Sequence, residues 1–385
     1  RERHLGLGLL GGAVALAYLA TFAAYGFHHL VSLAVVFPAL LAVALLGALR
    51  ALREDSATIA TLTLVGAVLT PIILQQSGDP TYALLPYLVA VNLGAMLVGL
   101  RRGWAGLPLF AFVATLGLIA EWWSWWFDPQ RRLFITANVV GVWAIYAVAP
   151  WLRTPQRRFW SFARAIVLAA NGLFCGLFAY HVLDGGGQHL RGPVLALLAV
   201  TYVVISRLVA SRQGADAATR LTHMTGVALA IVAVPIQFDL AWVTVGWLAL
   251  AGVLLEAGLR EGDRWQRYAG LGVLVIVLGR TLLVDAPLGR AMGRDFEPIL
   301  NGGFLAGLAV VALLVRLHRS YRQRREQLTA LERKLVSPLL VAGAVSLAWK
   351  LSTELLGYLH WRAIALRAVP DIPPMLYVAG FWAVY

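Results

Sequence analysis

Charge is scarce in this chain. Only 13% of its 385 residues are Asp, Glu, Lys or Arg, against about 25% in an ordinary soluble domain, so a surface built to face water on every side is excluded. Cysteine is nearly absent. Cys175 stands alone, which excludes an internal disulfide, and its place within an apolar run makes it a packing residue. Catalytic signatures are missing as well: there is no G-x-x-x-x-G-K-[ST], no H-E-x-x-H, no C-x-x-C and no G-x-S-x-G, hence no phosphate-cradling loop, zinc helix, dithiol or nucleophile elbow. No period of solenoid length, no heptad repeat and no low-complexity tract occurs. The run Asp184-Gly185-Gly186-Gly187 has no strand before it and no dinucleotide-binding spacing, and reads as a turn between two spans.

What the chain has is apolar length. Hydrophobic residues make up 60% of it. A membrane-crossing helix takes about 20 mainly apolar residues, so a dozen or so spans would occupy about 240 positions once their Gly, Ser, Thr and Pro are included. Glycine at 37 and tryptophan at 14 fit the same class, because Gly lets membrane helices approach closely and Trp collects at the headgroups. The expected fold is therefore all-α, a polytopic transmembrane bundle forming a single membrane region over 1–385. Spans are expected near 5–25, 30–49, 56–75, 82–100, 104–124, 133–152, 161–182, 191–210, 222–238, 240–259, 267–285, 298–316 and 335–359. That makes about 13 complete spans, with a fourteenth starting near 375. The first run is longer than a signal-peptide core and lacks a small-x-small cleavage site, so it reads as a membrane helix. Pro38, Pro71, Pro86 and Pro235 fall inside spans, where neighbouring helices can satisfy the freed carbonyls. The chain begins without Met and stops within an apolar run, so the expectation is a piece of a longer parent, whose remaining spans would be its partners.

Sidedness follows from the basic residues. Alternating loops place 23 Lys and Arg on one face, A, and 8 on the other, B, with Lys350 inside the membrane. The positive-inside rule makes face A cytoplasmic and puts the N-terminus of the chain there. The acids divide 9 and 9 with Glu354 in the membrane, so the net charge of +13 is an orientation signal. Nucleic acid is not an expected partner, since no basic patch is interleaved with aromatics. The basic segment 316–334 is the largest cytoplasmic loop; it is expected to prolong a membrane helix and lie against anionic lipid, either as an ordinary anchor or as a regulatory partner site.

Polar groups inside spans are costly and are functional candidates by default. Here they gather toward face B: Glu121, His181, Gln237, Asp239, Arg280, Asp285, Lys350 and Glu354. Lys350 and Glu354 share a helix face at a spacing of four, either as a self-neutralising pair or as a proton-relay or ligand anchor. Glu121-Trp122-Trp123-Ser124-Trp125-Trp126-Phe127 is an aromatic belt or, with its carboxylate, a sugar-stacking platform. The histidines of face B share no ligand spacing on one helix, so no metal site and no cofactor is expected.

The order of several stretches resembles a family of large bacterial predicted membrane proteins catalogued as domain of unknown function 2339. These are Arg53-Glu54-Asp55-Ser56 opening a span that ends in Leu69-Thr70-Pro71, then Tyr87 to Asn92 and Arg101-Arg102-Gly103-Trp104. Val234 to Asp239 followed by Trp242 and Gly246-Trp247, Arg280 with Asp285, Leu300 to Leu305, and Leu347 to Glu354 continue it. The resemblance covers nearly all of the chain and implies a longer, multi-pass parent in a bacterial membrane without supplying an activity. One departure is Leu250, where family members often carry an acid; the acid of this helix is Glu256. Three functions compete: handling of a lipid or lipid-linked glycan at the outer leaflet, a non-catalytic membrane scaffold, and a secondary transporter. Membrane lipids are the expected partners in the first.

Overall fold

The computed structural model describes all residues except 1, 27, 29, 75–78, 152–157, 185, 240, 285–298, 367–373 and 385. Fourteen α-helices and no strand are found among the described residues. They are α1 (Glu2–Gly26), α2 (Leu33–Arg53), α3 (Ala57–Leu74), α4 (Thr81–Arg102), α5 (Gly106–Trp126), α6 (Arg132–Val148) and α7 (Arg158–Val182), then α8 (Arg191–Gln213), α9 (Ala217–Gln237), α10 (Ala241–Glu261), α11 (Arg264–Leu283), α12 (Gly302–Gln323), α13 (Ala330–Leu366) and α14 (Pro374–Val384). Each expected span coincides with one of them. Among the described residues eleven helices are long and apolar enough to cross a bilayer, and Ala57–Ile72 is a shorter apolar helix. Large side chains such as Leu5, Leu197 and Val253 lie exposed on their outer surfaces, which lipid tolerates and water does not.

Contacts divide the chain into two compact units, Arg1–Gln188 with Val200–Gly226, and His189–Ala199 with Val227–Tyr385. In the first, Leu85, Leu88, Ile119, Trp122, Ile135 and Val139 form a core across α4, α5 and α6. A polar knot sits beside it: the buried Asn92 amide donates to Thr115 Oγ1 at 2.6 Å, and Tyr146 Oη lies 2.5 Å from Asn92 Oδ1. In the second unit the core joins α10, α11, α12 and α13 through Ala251, Leu255, Val277, Val310, Leu314 and Leu339.

Helix ends follow local chemistry. Gly262 at φ +71° closes α10 in a conformation that glycine adopts without a Cβ clash. Asp263 then opens α11 by accepting a bond from the Trp265 amide at 2.9 Å. Two residues thus reverse the chain, and α11 returns along α10.

Within the spans, proline has a specific consequence. A proline has no N–H to give the carbonyl four residues earlier. Pro235 therefore frees the Ile231 carbonyl, and Trp247 of α10 donates to it through Nε1 at 2.8 Å. Pro71 frees the Ala67 carbonyl, and Tyr87 of α4 donates to it at 2.6 Å. The expected satisfaction by neighbouring helices is met at both positions.

Candidate functional site

In the second unit, the start of α12, an end assigned to face B, meets Glu354 of α13. Asn301 precedes α12 as its N-cap, accepting from the Phe304 amide at 2.8 Å. Its own amide nitrogen donates to both carboxylate oxygens of Glu354, at 2.8 and 3.0 Å. The Ile299 amide adds a third donor at 2.5 Å, from a residue held at φ +69°. For a β-branched side chain that backbone is strained, and its amide is bound to the carboxylate of α13. One turn earlier, Lys350 is buried at 2% exposure, its stem lying where Gly307 of α12 leaves room. A Cβ at Gly307 would come within 2.6 Å of Lys350 Cγ. Arg280 donates from Nε to Thr244 Oγ1 at 3.1 Å, and its guanidinium lies 6.0 Å from the centre of the Trp247 ring. The same indole donates to the carbonyl freed by Pro235. Gln237, though exposed, packs at Gly192, where a Cβ would approach its Cβ to 2.4 Å. Asp239 is exposed in the link to α10, and Asp285 lies outside the described residues.

Glu121 and His181 belong to the first unit. Glu121 is exposed near the end of α5, and His181 is exposed on α7 with Trp123 edge-on at 6.4 Å. The four indoles beside Glu121 do not share one surface. Trp122 is buried and donates to Thr81 Oγ1 at 3.0 Å; Trp123 stacks on Phe127 at 3.9 Å; Trp125 is 77% exposed. Nearby, Arg131 pairs with Asp79, lies 3.4 Å from Asp128, and covers the Tyr82 ring at 5.0 Å. Arg132 donates to the Asp184 carbonyl at 2.7 Å, so the glycine-rich turn is tied to α6.

Sequence reasoning missed a fully buried ion pair. Arg267 (1% exposed) and Glu332 (0%) meet bidentately on the face A side, Nε to Oε1 at 2.6 Å and Nη2 to Oε2 at 3.0 Å. Arg267 also donates to the Gly258 carbonyl at 3.1 Å and the Gln327 carbonyl at 3.3 Å. The available signal was Thr329-x-x-Glu332, a capping box: Thr329 N donates to Glu332 Oε2 at 2.8 Å, and Glu332 N lies 3.4 Å from Thr329 Oγ1. Of the segment 316–334, residues 316–323 end α12 and 330–334 begin α13. The link between them is fastened to α11 through Arg267, and through Tyr268, which donates to Thr329 Oγ1 at 3.0 Å.

No group of three His, Cys, Asp or Glu able to hold a metal ion occurs among the described residues. What these arrangements do chemically is to couple helices: a carboxylate to a helix N-terminus, indole and phenol donors to orphaned carbonyls, a guanidinium to a helix-capping acid. Comparison with curated proteins and with solved structures finds no match. A family model described as "Predicted membrane protein (DUF2339)" matches residues 1–385, all of the sequence, and with the helices and the motif positions already in place the chain belongs to that family.

Proposed function

We propose that this chain is a non-catalytic scaffold of the bacterial cytoplasmic membrane, oriented with face A toward the cytoplasm. One observation carries the reading: polar side chains in the stretches that resemble the family are spent on joining helices. Pro71 with Tyr87, Pro235 with Trp247, Arg280 with Thr244, and Asn301 with Glu354 each couple two different helices. In lipid an unmet backbone or side-chain polar group is expensive, so such couplings specify which helices pack together. Handling of a lipid-linked glycan at the outer leaflet would instead want Glu121, Asp239, Asp285 and Glu354 turned toward one open cavity. Glu354, with three donors on its carboxylate, favours the coupling role.

The test separates the two. Glu354→Gln weakens charge-assisted bonds worth about 1–3 kcal/mol, and on the scaffold reading it lowers the thermal stability of the purified protein while leaving the bound lipids unchanged in native mass spectrometry. A glycolipid held stoichiometrically by the native protein and lost in Glu354→Gln at undiminished stability overturns the reading in favour of lipid or glycan handling. Solute uptake by proteoliposomes that Glu354→Gln abolishes overturns it in favour of transport.

A further inference from the structure

Near the face A end of the second unit, α10 and α12 border a groove of about 850 Å³, a volume within the range of about 300–1,000 Å³ typical of small-molecule sites. Its wall is aliphatic, with Leu248, Gly252 and Leu313 along its length, and Val253 at its edge is 66% exposed. At its mouth the chemistry changes. Glu256 of α10 takes Arg260 Nε at 3.0 Å and Arg316 Nη2 of α12 at 3.5 Å. The acid is 26% exposed, whereas the two guanidinium side chains are 70% and 69% exposed. Each guanidinium carries five N–H donors in a fixed fork, and Glu256 engages only one from each, so both keep donors facing outward. Glu261 also lines the groove, while Arg324 adds its positive charge to the field at Glu256, so three arginines stand against two acids.

We propose that this groove binds one anionic phospholipid of the leaflet on face A, its phosphate bridging Arg260 and Arg316 and one acyl chain lying along Leu248, Gly252 and Leu313. A phosphodiester carries one negative charge and accepts several bonds, which matches the excess of arginines over acids and the outward donors. Glu256 pairs with both arginines and competes with the phosphate for them. An apolar trough ending in paired guanidiniums at headgroup depth is what a lipid presents in complement, and basic pockets between membrane helices hold such headgroups. A soluble anion would use the mouth and leave the trough empty. The inference stands on the groove alone and does not depend on the scaffold reading.

The experiment uses the full chain in lipid discs of pure phosphatidylcholine and in discs containing phosphatidylglycerol. Lipid retention is read by native mass spectrometry, with circular dichroism and gel filtration confirming the fold of each variant. The native protein should retain one phosphatidylglycerol in preference to phosphatidylcholine. Arg260→Gln with Arg316→Gln should weaken that retention by about tenfold or more, since bonds to charged groups are lost. Gly252→Phe, which fills the trough and leaves both arginines in place, should weaken it as well. Glu256→Gln should strengthen it, because a competing anion is removed; a merely structural ion pair would leave lipid affinity unmoved. Equal retention of the two lipids by the native protein overturns the proposal, as does retention unaffected by the double arginine variant. So does capture of phosphatidylglycerol that survives Gly252→Phe, which would place the lipid elsewhere. A groove occupied by a second copy, seen as a dimer that Gly252→Phe dissolves, also overturns it.

Discussion

At the residue scale, the proline and aromatic pairs give the sharpest test of how a membrane helix tolerates a missing N–H. Trp247→Phe leaves the Ile231 carbonyl without the indole donor at 2.8 Å, and an unmet buried acceptor costs about 1–3 kcal/mol. Pro235→Ala restores the intrahelical donor and should rescue most of that loss. In a double-mutant cycle of chemical denaturation in detergent micelles, the two changes are therefore expected to be strongly non-additive; additive effects would show that the indole bond carries no weight. The buried Arg267–Glu332 pair gives a second prediction at this scale. Glu332→Ala strands a guanidinium that is 1% exposed and also strips the Thr329 cap, so a loss of about 3–5 kcal/mol is expected. Arg260→Ala, at a pair whose arginine is 70% exposed, should cost less than about 1 kcal/mol in the same assay.

Elements are held together by what their glycines leave out. A Cβ at Gly258 of α10 would lie 2.6 Å from Arg267 Cγ and 2.9 Å from the Arg267 backbone nitrogen of α11. Rotating a side chain cannot relieve the second contact, so the two helices would have to part. Gly258→Ala should therefore destabilise by about 1–3 kcal/mol. Gly272 of α11 is the control, since nothing lies within 4 Å of its Cβ position; there alanine should stabilise by up to about 1 kcal/mol through helix propensity. Thermal unfolding monitored by circular dichroism reads both, and a neutral Gly258→Ala would refute the close approach of α10 and α11. The 37-residue α13 shows a second feature of this scale. At 1.5 Å per residue it is about 55 Å long, well beyond a hydrocarbon core of about 30 Å. Its apolar pattern announced a span from 335 to 359, but its start at Ala330 is set by the Thr329 and Glu332 box, and hydropathy does not register a cap.

At the scale of the whole molecule the orientation is the testable property. The 23 to 8 division of basic residues is spread over all the loops, so no single loop decides it. Cys175 is the only cysteine and is buried, so introduced thiols can be read against a quiet background. Gly186→Cys, in the exposed turn between α7 and α8, should react with a membrane-impermeant thiol reagent in intact cells. Ala215→Cys and Glu261→Cys, both exposed on the opposite side by the loop count, should react only after the membrane is opened. Labelling of both sets in intact cells would refute the assignment.

The sequence by itself determined the all-helical class, the number and order of the helices, and the family. These depend on the length and periodicity of apolar runs, on punctuation such as Gly262-Asp263 and on the order of short motifs, all of which are local along the chain. Only the tertiary structure decided what the polar residues do. Glu354 shares a helix face with Lys350 at a spacing of four, and its carboxylate also carries the Asn301 cap and the Ile299 amide, 53 and 55 residues away. Arg267 looked like one more positive-inside arginine, and it is buried against an acid 65 residues on. The groove at Glu256 needs α10 and α12 side by side before it exists. Spacing along one helix fixes which side chains share a face, but which helix lies opposite that face is set by packing between distant segments, and no window of sequence contains both partners.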